Sequence, residues 1–169
     1  MLRILHQIFR TGVVTEQLPA EVEAEIVEIG ARLEEKIRKT FHRSLTIREV
    51  DAGSCNGCEL EIHAMNNAVY NCERFGIHFT ASPRFADLLL VTGPVSHNME
   101  IALRRTYNAT PPPKIVVAVG DCGCTGGIFG ESYASLGGID KVIPVDACIP
   151  GCPPTPTALL QGILKAVSE

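Results

Sequence analysis

With 169 residues and 46% hydrophobic side chains, the chain can bury one substantial core, removing roughly two thirds of its unfolded surface from water. Its net charge of −4 leaves no basic footprint of the kind nucleic acid requires. Seven cysteines, an odd number placed mostly in loops, do not fit a secreted disulfide framework and point to a reducing compartment with metal-bound thiolates.

Leu2, Leu5, Ile8 and Phe9 fall at helical spacing with Arg3 and Arg10 beside them, and Gly12 follows. This predicts a short basic amphipathic helix, suited to a membrane surface or a partner, or else folded on the chain's own core. Arg, His and Gln interrupt its apolar residues, so it lacks the continuous core of a signal peptide. Nor does any stretch reach the ~20 apolar residues needed to cross a bilayer. A longer helix is expected from about Pro19 to Phe41, because Val22, Ile26, Ile29, Leu33, Ile37 and Phe41 recur at three and four. Its acids come early (Glu21, Glu23, Glu25, Glu28) and its bases late (Lys36, Arg38, Lys39), which suits the helix dipole.

Leu45–Val50 reads as a strand that delivers the chain into Cys55-Asn56-Gly57-Cys58-Glu59-Leu60-Glu61. A helix is predicted from Cys58 to about Glu73, with Cys72 a small buried thiol near its end. Ile77–Thr80 starts a second strand, Ser82–Phe85 makes a turn, and Ala86–Gly93 is a buried third strand. A helix around Met99–Tyr107 precedes Pro111-Pro112-Pro113, which stiffens the entry to the next strand. Lys114–Gly120 is a continuous apolar run of the kind found in parallel strands covered on both faces. Val142–Asp146 is expected to be the last strand, with Pro144 arguing for an edge. Thr155 or Thr157 can cap a final helix through Leu159, Leu160, Ile163, Leu164 and Val167. The pattern is βα repeated: an α/β fold, a parallel sheet with helices on both faces, preceded by N-terminal helices. It divides into a helical arm over residues 1–43, for membrane or subunit docking, and a cluster domain over residues 44–169.

Three cysteine segments stand at predicted strand ends: the CxxC at Cys55 and Cys58, Gly120-Asp121-Cys122-Gly123-Cys124, and Ile149-Pro150-Gly151-Cys152-Pro153-Pro154. In open α/β sheets, ligands sit beyond the carboxyl ends of the strands, so the fold class brings these loops together. Four thiolates suit either a 4Fe-4S cluster or tetrahedral zinc. One close pair plus two single cysteines from remote loops favours iron-sulfur, since zinc knuckles usually arrive as two CxxC pairs. Cys124 and Cys148 are read as neighbours of the site or as incidental thiols. Glu61, one helical turn after Cys58, could point back toward the cluster as a proton relay, or face solvent or a subunit. His63 and His97 are read as structural or interfacial.

Together these segments resemble the small electron-transfer subunit of nickel-iron hydrogenases and its relative, the B subunit of respiratory complex I. The likeness runs from about Asp51 to Val167 and includes Ser82-Pro83-Arg84 followed by Ala86-Asp87, the run Gly126-Gly127-Ile128-Phe129, and Val145-Asp146 leading to Cys152. Splitting the first two cysteines by Asn56-Gly57 is similar to hydrogenases, whereas in the complex I branch they are adjacent. The wording through Ile62, with Glu73-Arg74-Phe75-Gly76-Ile77 after it, looks most like membrane-bound, energy-converting hydrogenases, including formate hydrogenlyase. The resemblance implies a flavodoxin-like fold and one 4Fe-4S cluster on Cys55, Cys58, Cys122 and Cys152, with no catalytic centre of its own. It further implies a nickel-iron large subunit, a ferredoxin-like multi-cluster subunit and membrane-embedded antiporter-like subunits as partners. The expected location is peripheral, on the cytoplasmic face of the membrane. The alternative is a B-type cluster subunit of a complex I-like quinone oxidoreductase; from another class, a zinc-stabilised or flavin-binding interaction module.

Overall fold

Apolar runs too short for buried helices become strands, and the structure, a computed structural model describing residues 2–13 and 20–168, has five of them. They are β1 (Leu45–Asp51), β2 (Ile77–Phe79), β3 (Leu88–Thr92), β4 (Ile115–Val119) and β5 (Ala147–Ile149). All pair in parallel, in the order β2-β1-β3-β4-β5. This is the doubly wound, flavodoxin-like order, whose ligand crevice lies where connections from adjacent strands leave to opposite faces. Every residue of β3 is buried, as expected of a central strand covered on both sides.

Six α-helices are described: α1 (Leu2–Thr11), α2 (Ala20–Phe41), α3 (Gly57–Ala64), α4 (His97–Ala109), α5 (Gly120–Thr125) and α6 (Pro156–Ser168). One face of the sheet packs Leu88, Leu90, Val117 and Val119 against Leu33 and Ile37 of α2, Ile62 of α3, and Leu159, Leu160 and Ile163 of α6. The other packs Leu89, Val91, Val116 and Ala118 against Leu103 of α4 and Ile139, Val142 and Ile143. Alternate residues of each strand thus serve opposite cores, the period of two made visible. Each fully buried leucine contributes about 1.5–3 kcal/mol relative to exposure.

The two N-terminal helices separate in their roles. Ile26, Ile29, Leu33 and Ile37 of α2 are buried, so its stripe faces its own domain. α1 buries nothing: Leu2, Leu5, Ile8 and Phe9 are all exposed, which excludes the reading that it folds on the core. The expected helix start at Pro19 lies outside the described residues.

Three expectations need correction. The helix from Cys58 stops at Ala64, not Glu73, because the Asn67 side chain accepts the backbone N–H groups of Val69 and Tyr70 at 2.9 and 3.0 Å and turns the chain. A short 3₁₀ turn at Cys72–Phe75 then leads to β2. The last strand is Ala147–Ile149, not Val142–Asp146; Val142 and Ile143 are buried, but as part of the α4-side core rather than the sheet. Apolar content alone does not distinguish those two uses. Lastly, Gly120–Thr125 forms a helix where a loop was expected.

Candidate metal centre

The carboxyl end of β1 is shaped by its last residue. Asp51 Oδ1 accepts the N–H groups of Gly53 and Ser54, both at 2.7 Å, so the chain turns sharply off the sheet. Ser54 Oγ accepts the N–H of Asn56 at 3.0 Å and donates to Glu59 Oε1 at 2.7 Å. Asn56, left-handed at φ 71°, opens α3 and places Cys58 as its second residue. Here Asn tolerates a conformation that costs other side chains about 1–2 kcal/mol.

The segments that follow β4 and β5 are joined to each other. Asp121 donates its N–H to the Gly151 carbonyl at 2.9 Å, and its Oδ1 accepts the Gly151 N–H at 2.8 Å. Cys122 and Cys152 are therefore carried on two segments held by a reciprocal pair of bonds.

Two glycines show how closely the thiols approach this backbone. At Gly120 (φ +78°) an added Cβ would lie 2.8 Å from Cys58 Sγ and 3.3 Å from the Gly151 carbonyl oxygen. At Gly127 (φ +54°) it would lie 2.9 Å from Cys122 Sγ. Both positions combine a left-handed backbone with a sulfur where a side chain would be, which only glycine satisfies.

Electrostatics link all four cysteines. Burial pushes the Cys58 thiol up to about 12, and Glu59, Cys55, Cys122 and Cys152 add in the same direction. Burial likewise raises Cys122, helped by Cys152, Cys55 and Asp121. Thiols crowded in this way resist losing their protons, and bound cationic iron would reverse that balance. Cys55 and Cys152 are exposed while Cys58 and Cys122 are partly buried, so the site opens onto one surface. Among the described residues, no three His, Cys, Asp or Glu side chains meet around a point as a single metal ion requires. A four-iron cluster accepts a different arrangement, because each cysteine binds its own iron. The donor set and the glycine-lined sulfurs fit such a group.

Glu61, the carboxylate the sequence singles out, shares α3 with a second acid, Glu59. Glu61 is partly buried and, among the described residues, its carboxylate makes no hydrogen bond. Glu59 is buried, with Ser54 and Thr92 hydroxyls both donating to Oε1 and with Oε2 left unpartnered. No periodicity marks Glu59, because its partners are a turn serine five residues before it and the last residue of β3, 33 positions away. Cys72 is fully buried and its thiol donates to Asn66 Oδ1 at 3.1 Å, a structural thiol as expected. Cys124 packs against the α4-side core with its thiol at the carbonyl of Ala118, the residue opposite Cys148 in β5, and His63 and His97 are exposed.

Fold and site together define an α/β subunit whose cysteine-bearing segments gather at the carboxyl edge of a flavodoxin-like sheet. The chain belongs to the family described as NADH ubiquinone oxidoreductase, 20 Kd subunit, whose model matches residues 55–166. It is 45% identical to formate hydrogenlyase subunit 7 of Escherichia coli K12 over 89% of this chain and 57% of that protein. It is also 45% identical to the probable membrane-bound hydrogenase subunit mbhJ of Pyrococcus furiosus, over 82% of this chain and 84% of the relative. The B subunit of the NADH-quinone oxidoreductase of Heliobacterium modesticaldum is 48% identical over 64% of this chain and 62% of the relative. The chain thus spans just over half of the E. coli relative's length. Among solved structures, a chain of an archaeal membrane-bound sulfane sulfur reductase matches with a TM-score of 0.66 and 39% identity, over 81% of this chain and 74% of the other. A chain of an NAD⁺-reducing nickel-iron hydrogenase matches at TM-score 0.55 and 21% identity, over 73% and 92%, which speaks to the fold. Relatives of this chain are subunits of oxidoreductase complexes. Among the described residues, no helix is long and apolar enough to cross a membrane.

Proposed function

We propose that this chain is the one-cluster electron-transfer subunit of a membrane-bound nickel-iron hydrogenase complex of the formate hydrogenlyase kind. The observation that carries the reading is the convergence of the three cysteine-bearing strand-end segments: Gly120 packs against Cys58 Sγ and the Gly151 carbonyl, and Asp121, next to Cys122, is bonded to Gly151, next to Cys152. These four cysteines would hold a single 4Fe-4S cluster, which when bound supplies a one-electron carrier whose potential the surrounding protein tunes. The chain's own contribution is to fix the ligands: Asp51 turns the first pair off the sheet, and Asp121 joins the segments bearing the other two. Glu61, one turn beyond Cys58 in α3, is the proton-relay candidate in this reading.

The site's open side supports a partner that covers it. Ile128 and Phe129, next to Gly127, are 92% and 51% exposed, an apolar patch adjoining the cysteine loops. In this reading it receives the nickel-iron large subunit, while a ferredoxin-like multi-cluster subunit exchanges electrons with the cluster. The exposed face of α1, with Arg3 and Arg10, suits attachment to membrane-embedded antiporter-like subunits, making the chain peripheral on the cytoplasmic face.

A second reading, a B-type cluster subunit of a complex I-like quinone oxidoreductase, is favoured by the 48% identity to the Heliobacterium modesticaldum protein. The hydrogenase relatives extend over more of this chain, and the Cys55-Asn56-Gly57-Cys58 spacing is the one that the resemblance to hydrogenases implies. The test is electron paramagnetic resonance with iron and nickel analysis on the dithionite-reduced protein purified with its native partners. A 4Fe-4S signal lost in Cys122→Ser or Cys152→Ser, with nickel in the complex, supports the hydrogenase reading. The same signal without nickel selects the quinone branch, and no iron overturns both.

A further inference from the structure

Two cysteines remain outside the group of four, and the fold brings them together. Cys148 lies in β5 directly opposite Ala118 of β4. Its neighbour Ile149 faces the α6-side core, so strand alternation turns Cys148 to the other face, where Ala118 also points. Cys124, in α5, packs on that same face, with its thiol 3.7 Å from the Ala118 carbonyl oxygen. Ala118 thus has Cys148 beside it on the neighbouring strand and the Cys124 thiol at its carbonyl, which puts the two cysteines in one neighbourhood, each bearing on the other electrostatically. Both are reduced; Cys148 is exposed and Cys124 partly buried.

We propose that Cys124 and Cys148 form an oxidisable dithiol, a modification site distinct from the four cluster-candidate cysteines, which a small-molecule disulfide converts into an intramolecular bond joining α5 to β5. The reagent meets exposed Cys148 first. Its thiolate attacks one sulfur of the oxidant, forming a mixed disulfide and releasing one thiolate. The Cys124 sulfur, carried on the same face of the sheet, then attacks the Cys148 sulfur, gives up its proton and releases the second thiolate. The balance is two protein thiols plus one disulfide giving one protein disulfide plus two small thiols, with no other electron acceptor. The bond would link the segment carrying Cys122 to the segment carrying Cys152, which Asp121 and Gly151 already hold together. Oxidation at this pair therefore reinforces the site's frame and leaves its four cysteines free of the exchange.

The test treats the full chain, purified anaerobically with its partners, with oxidised glutathione, then blocks remaining thiols with iodoacetamide and maps the digested peptides by mass spectrometry. The expected result is a Cys124–Cys148 linked peptide, two glutathiones released per linkage, and no linkage to Cys122 or Cys152. Cys124→Ser should instead accumulate glutathione on Cys148, and Cys148→Ser should abolish reaction at both positions. Wild-type protein that retains glutathione on Cys148 as Cys124→Ser does, or that links either residue to Cys122 or Cys152, overturns the proposal. So does wild-type protein that forms no linkage. Should Cys124→Ser fail to fold, the wild-type peptide map decides alone. Because the readout is the linkage itself, it is independent of whether a cluster or nickel is present.

Discussion

The two ends of the sheet handle buried charge in opposite ways. At the amino end, Asp87 precedes β3 at only 8% exposure and is fully engaged: Arg43 donates to its two oxygens at 3.0 and 2.6 Å, and the Thr46 N–H donates to Oδ2 at 3.0 Å. At the carboxyl end, Glu59 keeps a buried oxygen without a partner, and so does Glu49, whose carboxyl is raised above the ordinary range by burial and then by Glu59. The glycine approaches to Cys58 and Cys122 also fall here. One end is built to hold the strands in place; the other keeps unmet polar groups and close contacts, a pattern associated with sites rather than scaffolds.

The largest effect on stability should come from breaking the satisfied end. Asp87→Ala strands the Thr46 N–H and the Arg43 guanidinium, and should lower unfolding free energy by about 1–3 kcal/mol in urea titration. Arg43→Ala should cost less, under about 1 kcal/mol, because more than half of that side chain is in solvent and the Thr46 bond survives. Equal losses in the two variants would mean the ion pair, not the buried acceptor, holds this end.

Gly120→Ala tests the other end. It forces a left-handed alanine at about 1–2 kcal/mol and sets its Cβ against Cys58 Sγ. Iron content should fall much more than the modest stability loss suggests, since the displaced atom is a candidate ligand. Iron retained at the wild-type level would break the link between glycine contact and site.

How much of this division could be read from the sequence follows from range. The buried strands declared themselves as apolar runs, and the cysteine loops by falling at their ends. Val142–Asp146 misled because burial in a core cluster looks the same as burial in a strand. The helix after Cys58 reads longer than it is because Met65, Ala68 and Val69 keep helical spacing while the Asn67 turn acts through a single side chain. Glu59, Thr92 and the Asp121–Gly151 bonds are pairings of residues 33 and 30 positions apart, which no local pattern encodes.

Glu49→Gln should have a smaller effect, opposite in sign to Asp87→Ala. A carboxyl whose folded value is raised holds its proton in the native state when the unfolded chain has lost it, so it subtracts stability as pH rises above the unfolded value of 4.5. Glutamine does not titrate. The variant should match wild type in urea midpoint near pH 4 and exceed it at pH 7. An advantage that is the same at both pH values would assign the gain to packing rather than to charge.

The smallest effect on stability is expected in α1, and there a null result is informative. Leu5 and Ile8 are 49% and 59% exposed, and no residue of the helix is buried. The double substitution Leu5→Glu, Ile8→Glu removes no core contact, so the urea midpoint should hold within about 0.5 kcal/mol, as for surface changes generally. Two carboxylates would nevertheless replace the centre of the apolar face, and burying them in a membrane or an apolar partner surface is costly. The variant chain should therefore leave the membrane fraction and separate from its partners while still melting like wild type. A lowered midpoint would place α1 on the core after all, and unchanged partition would move attachment to another surface, with the patch at Ile128 and Phe129 the next to test.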